Sequence, residues 1–174
     1  IRVHAPKSIL TGAEPLYQYQ RTVIEQAFAC QVYNTYGCRE VMLIAAECRQ
    51  HKQLHINIDH LLVETVDEQQ QTVCGESGDV LLTDLFNYGM PLMRYVNGDL
   101  ATPSPHRCSC GRGLPLLARV DGRKLDALRT ADGHFVPGEF IVYMVLNARG
   151  IKRYQVVQRS LEKFDVLLVP DADY

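Results

Sequence analysis

The spacing of apolar residues changes period along this chain. Ile9-Leu10 closes a short extended run that Thr11-Gly12 ends. From Glu14 to Ala29 the spacing is helical, and Leu16, Val23, Ile24, Ala27 and Phe28 share one predicted core face. Pro15 falls in the first turn, where a missing N–H costs nothing. Gln31–Asn34 predicts a short strand, whereas the apolar run Val41–Ala46 fits helix or strand equally. From His55 onward the pattern becomes β, with strands expected over His55–Val66, Asp79–Phe86 and Pro91–Val96 and loops over the three glutamines and Gly75–Gly78. Thr102–Gly113, rich in Pro, Cys and Gly, predicts an irregular loop. Leu116–Val120 and Ala127–Thr130 read as strands flanking a turn at Gly122, and Asp132-Gly133 as a hairpin turn. A helix over Glu139–Asn147 stops at Gly150, before an antiparallel pair formed by Ile151–Gln158 and Lys163–Val169. The sum is an α+β chain, β-rich in its first two thirds.

Composition narrows the function classes. Eighteen basic and 20 acidic residues give a formal net charge of −2, which predicts neither a nucleic-acid nor a membrane partner. No apolar run is long enough to suggest a membrane helix, and Ile1–Leu10 has no cleavable signal core. A cytoplasmic location is the expectation. The six cysteines are then read as metal ligands or free thiols rather than disulfides. Cys108 and Cys110 sit one residue apart, and Cys48, His51 and His55 cluster upstream. Cys48, His55, Cys108 and Cys110 make a three-thiolate, one-imidazole set of the kind that holds structural zinc. The alternative is a buried hydrophobic Cys48 beside two free thiols.

Three segments in order carry chemistry: Tyr36-Gly37-Cys38-Arg39-Glu40, Arg94-Tyr95-Val96-Asn97-Gly98-Asp99 and Gly122-Arg123-Lys124-Leu125-Asp126. With Gly12-Ala13-Glu14-Pro15-Leu16 before them, they resemble the nucleotide-binding half of adenylate-forming enzymes, in particular the phenylacetate–CoA ligase-like branch that includes the CapK (capsular polysaccharide biosynthesis) group. Leu82-Thr83-Asp84-Leu85-Phe86-Asn87 and Cys108-Ser109-Cys110-Gly111-Arg112-Gly113-Leu114-Pro115 extend the resemblance. Members activate a carboxylic acid with ATP to give an acyl-adenylate and pyrophosphate.

The resemblance implies a role for each position. Ala13, Glu14 and Pro15 would line the adenine pocket, with Tyr36 against the ring and Gly37 beside it. Asp99 would accept both ribose hydroxyls. Glu40 would help hold Mg²⁺, a hard cation that takes oxygen ligands. Arg39 stands where the wider superfamily has a phosphate-contacting Thr, and would supply a charged donor instead. Arg123 would reach the nucleotide from a hinge at 122–126, whose pivot position holds Leu125 where many members have Asp. Residues 1–121 are expected to be part of the large domain and 127–174 part of a small mobile lid. No Gly/Ser/Thr-rich phosphate loop and no catalytic lysine site lies within these residues. The sequence, which begins without Met, is therefore expected to be a piece of a ligase, inactive alone and prone to self-association. ATP, a small carboxylic acid and CoA are the implied ligands of the whole protein. A non-catalytic, zinc-stapled module binding a nucleotide or a protein is the second reading.

Overall fold

The computed structural model describes residues 6–124, 128–132, 135–136, 138–145 and 148–171. They divide into two compact units, Ile1–Asp121 and Gly122–Tyr174. The hinge positions Leu125 and Asp126 lie outside the described residues, as does Gly133 of the expected hairpin turn.

The first unit opens with β1 (Ser8–Thr11), α1 (Gln18–Phe28) and β2 (Gln31–Cys38), and β1 pairs parallel to β2 in the register Ile9↔Val32. The helix starts four residues later than its apolar spacing predicts. Ala13 has φ 73°, and Tyr17 is extended at φ −82°, ψ 151°, so the chain around Pro15 is not helical. The Gln20 side chain then accepts the Tyr17 N–H at 3.0 Å, which closes the first turn. The expected core face is also corrected: Val23 is 62% exposed and Phe28 47%, while the buried residue of α1 is Arg21. Arg21 donates to both oxygens of Glu47 at 2.7 and 2.8 Å and to the carbonyl of Val32. Glu25 accepts the Val32 N–H at 3.0 Å. The helix docks through hydrogen-bonded charge, a contact that apolar periodicity does not report.

The remaining strands are β3 (Met42–Glu47), β4 (Leu54–Ile56), β5 (Leu61–Val66), β6 (Gly78–Asp84), β7 (Tyr95–Pro103) and β8 (Leu116–Arg123). One eight-stranded sheet results, in the order β1-β2-β3-β4-β8-β7-β6-β5. The run Val41–Ala46 resolves as strand because it closes an antiparallel hairpin with β2. The stretch His55–Val66 is two strands rather than one. At Asn57 the chain leaves the ladder, its N–H taken by the Ile44 carbonyl at 2.8 Å, and β5 resumes at the far edge of the sheet. The strand expected at Pro91–Val96 begins at Tyr95 and runs on to Pro103, so the irregular segment starts at Ser104. Gly122 does not turn the chain; it lies inside β8 at φ 104°.

β2 and β7 are four inter-strand steps apart, about 19 Å in a flat sheet. Yet the Tyr36 hydroxyl of β2 lies 2.7 Å from the Asp99 carboxylate of β7, so the sheet curls strongly on itself. The core fills the curl: Tyr36, Ile44, Leu54, Leu61, Leu82 and Leu117 come from six different strands and are 9% exposed or less.

The second unit contains β9 (Leu128–Arg129) paired antiparallel to β10 (Phe135–Val136), α2 (Gly138–Val145), and the antiparallel ribbon β11 (Ile151–Ser160) and β12 (Lys163–Pro170). On β12 the consecutive residues Val166, Leu167, Leu168 and Val169 are 50–56% exposed, so both faces of that strand are open. No helix among the described residues is long and apolar enough to cross a membrane.

Candidate nucleotide site and metal-ligand cluster

On β7, Asn97 and Asp99 flank Gly98, at φ 83°, where the β6–β7 register shifts. Asn97 and Asp99 are buried there with Tyr36. The Tyr36 hydroxyl donates to Asp99 Oδ2 at 2.7 Å, and the Asn97 amide donates to that same oxygen at 2.8 Å and to the Tyr36 hydroxyl at 2.9 Å. Asn97 Oδ1 in turn accepts the Asp99 N–H at 3.0 Å. The trio fixes the Asp99 carboxylate. Burial, and then the Asp99 charge, push the Tyr36 phenol well above its ordinary range, so it stays a donor. Tyr36 itself is only 9% exposed, and its most evident work in this chain is to orient Asp99.

Gly37 is required where it stands. A Cβ there would lie 2.0 Å from the Met42 carbonyl oxygen, at a register shift in the β2–β3 ladder. That close approach tightens the turn holding Arg39 and Glu40, both exposed. Glu40 accepts a 2.8 Å hydrogen bond from the Tyr95 hydroxyl, which ties the turn to the Asp99 strand. Ala13 and Glu14 are exposed and Pro15 half-buried, on the segment between β1 and α1. Arg123 is exposed at the end of β8 in the second unit.

Sequence reasoning missed four contributors. Asn97 was obscured by Gly98, since Asn-Gly reads as a turn. Glu47 and Arg21 gave no periodic signal. Asp121, just before Gly122, accepts from Ser77 and Thr102 at 2.8 Å each and from Arg119. It anchors the end of the first unit's sheet.

The second constellation joins distant segments. Donor atoms of Cys48, His55, Cys108 and Cys110 all lie within 4.8 Å of one another. Cys48 follows β3, His55 is on β4, and the other two sit on the 104–115 segment between β7 and β8. His51 is drawn away: its Nδ1 lies 3.0 Å from Arg21 Nη1 and 3.3 Å from Glu47. Its ring tilts against Tyr33 at 4.8 Å. Burial, and then nearby Arg112, lower the His55 pKa and keep its imidazole neutral.

No family model matches the chain. It is 29% identical to the phenylacetate–coenzyme A ligase of Thermus thermophilus over 153 residues, 85% of this chain and 34% of that protein. It is 33% identical to the phenylacetate–coenzyme A ligase of Escherichia coli over 122 residues, 67% of this chain and 27% of that protein. The chain thus spans about a third of the curated relatives' length. Among solved structures, a 2-hydroxyisobutyryl-CoA ligase in the postadenylation state superposes with a TM-score of 0.70 at 20% identity, over 96% of this chain and 38% of the other. An anthranilate CoA ligase in complex with anthranoyl-AMP gives 0.56 at 16% identity, over 97% and 35%. The fold resembles the C-terminal part of adenylate-forming ligase domains, and fold and sequence together support that superfamily for this chain.

Proposed function

We propose that this chain is the adenosine-binding part of a ligase that activates a small carboxylic acid with ATP and passes the acyl group to a thiol, CoA by preference. The observation that carries the reading is the buried Tyr36–Asn97–Asp99 trio, built across a curled sheet, in which Tyr36 and Asp99 stand where the resemblance expects nucleotide ligands. A carboxylate held this firmly is preorganised to accept ribose hydroxyls, so binding does not have to order it. Ala13, Glu14, Pro15 and Gly37 form the surroundings of the base, and Tyr36 is their aromatic wall.

Glu40 suits Mg²⁺ in donor type, an exposed carboxylate oriented by Tyr95. When bound with ATP, the ion would neutralise phosphate charge. Arg39, exposed on the same turn, supplies a donor for phosphate oxygens. Arg123 follows the anchored Asp121 and is assigned to the hinge, with the residues beyond it as the lid. These residues contain no phosphate loop, so the chain alone is expected to bind the adenosine moiety weakly and release no pyrophosphate.

Calorimetric titration of AMP into the chain tests the site. Weak binding that Asp99→Ala abolishes supports it; equal affinity of the variant removes the ribose role. A panel of aryl and aliphatic acids, with CoA, amine and hydroxyl acceptors offered to the whole protein, identifies the substrate and distinguishes a CoA ligase from a CapK-like transferase. ATP binding without turnover on any acid would favour the non-catalytic module.

A further inference from the structure

We propose that Cys48, His55, Cys108 and Cys110 form a closed structural zinc site that clamps the 104–115 segment onto the β3–β4 end of the sheet. Distances carry this first. Tetrahedral zinc with Zn–S near 2.3 Å and Zn–N near 2.05 Å requires sulfurs about 3.8 Å apart and sulfur–nitrogen pairs about 3.5 Å apart. Cys48 Sγ lies 3.7 Å from Cys108 Sγ, and Cys110 Sγ lies 3.5 Å from His55 Nε2. A disulfide would need sulfurs about 2.05 Å apart, and it would use two of the three thiols.

The backbone supplies a second, independent observation. Cys48 Sγ accepts the Gln50 N–H at 3.4 Å, two residues further on. A main-chain donor aimed at a cysteine sulfur is the kind of contact that orients a thiolate ligand. Gly111, at φ 80°, follows Cys110 directly, and its N–H turns back to the Cys108 carbonyl at 3.4 Å. That left-handed residue is what lets a one-residue spacing present both sulfurs to one point.

Three thiolates and an imidazole around Zn²⁺ would leave a net charge of −1, and Arg112, which lines the same pocket as Cys48 and His55, is placed to offset it. All four positions are filled by protein, so the ion would have no open position for chemistry. It would fix the segment joining the Asp99 strand to the strand that ends at Arg123.

The test is metal analysis of the full chain purified without chelator under reducing conditions, followed by cobalt exchange. About one zinc per chain is expected, and the cobalt form should show thiolate-to-metal charge transfer with tetrahedral band intensities. Cys108→Ser with Cys110→Ser should lose the metal, whereas Cys74→Ser, at an exposed thiol outside the cluster, should retain it. His55→Cys keeps four soft ligands and should still bind zinc, which separates lost coordination from lost folding. Less than about a tenth of a zinc per chain together with no cobalt charge-transfer band, or a Cys48–Cys108 disulfide found by mass spectrometry, would overturn the proposal. The readout is independent of nucleotide binding, so either assignment can fail alone.

Discussion

Tyr36→Phe removes one hydroxyl and leaves the ring. The lost group donates to Asp99 Oδ2 at 2.7 Å and accepts from Asn97 at 2.9 Å. A hydrogen bond to a charged group contributes about 1.5–3 kcal/mol net. Asp99 keeps the 2.8 Å bond from Asn97, so the carboxylate is not orphaned and the expected loss is about 2 kcal/mol. At about 4 °C per kcal/mol, the thermal midpoint should fall by about 8 °C. The assay is urea and thermal unfolding of wild type and variant at neutral pH. The pH dependence is a second signature. Because the folded-state pKa of Tyr36 is raised above the unfolded value of about 10, the folded chain holds this proton more tightly. That contribution is fully present below pH 10 and is lost as pH rises through the folded pKa. Wild type should therefore lose stability above about pH 10 more steeply than Tyr36→Phe. A variant within about 0.5 kcal/mol of wild type, with parallel alkaline slopes, would refute the claim that the trio is a buried, coupled network.

Three further outcomes are expected. Arg21→Ala leaves Glu47, with its side chain 9% exposed, without its bidentate partner, and urea unfolding should show a loss of about 3–5 kcal/mol. Arg21→Met with Glu47→Leu removes both charges and should lose less than Arg21→Ala alone. Gly37→Ala forces a Cβ to within 2.0 Å of the Met42 carbonyl oxygen, and should cost about 1–3 kcal/mol in the same assay. The open apolar residues of β12 predict association of the isolated chain, visible as concentration-dependent sedimentation that Val166→Lys with Leu168→Lys weakens.

What the sequence disclosed follows from which forces leave a periodic trace. The ribbon Ile151–Ser160 and Lys163–Pro170 was legible because two runs rich in Val, Ile, Leu, Tyr and Phe flank a short connection, which is a local signal. The docking of α1 was not, because Arg21 is held by Glu47 and the Val32 carbonyl, and the sequence contains no mark of where those acceptors will stand. The break of β4 at Asn57 was hidden for a related reason: Ile58 and Leu61 continue the apolar pattern although the chain has left the ladder. At the nucleotide site, Tyr36 and Asp99 were each identifiable, but their hydrogen bond depends on the curl of the whole sheet. His55, the histidine expected beside the cysteines, lies in their cluster, while Arg21 and Glu47 engage His51 elsewhere.

The most direct test of the central claim is acid-dependent ATP–pyrophosphate exchange by the whole protein, measured in parallel for wild type and Asp99→Ala. The account predicts exchange in wild type with at least one acid of the panel, and a fall of about a hundredfold in the variant, the loss expected when a charged ligand of a bound nucleotide is removed. Exchange that persists unchanged in Asp99→Ala would contradict the assignment of the Tyr36–Asn97–Asp99 trio to the ribose. No exchange by folded, ATP-binding wild type would contradict the ligase reading itself.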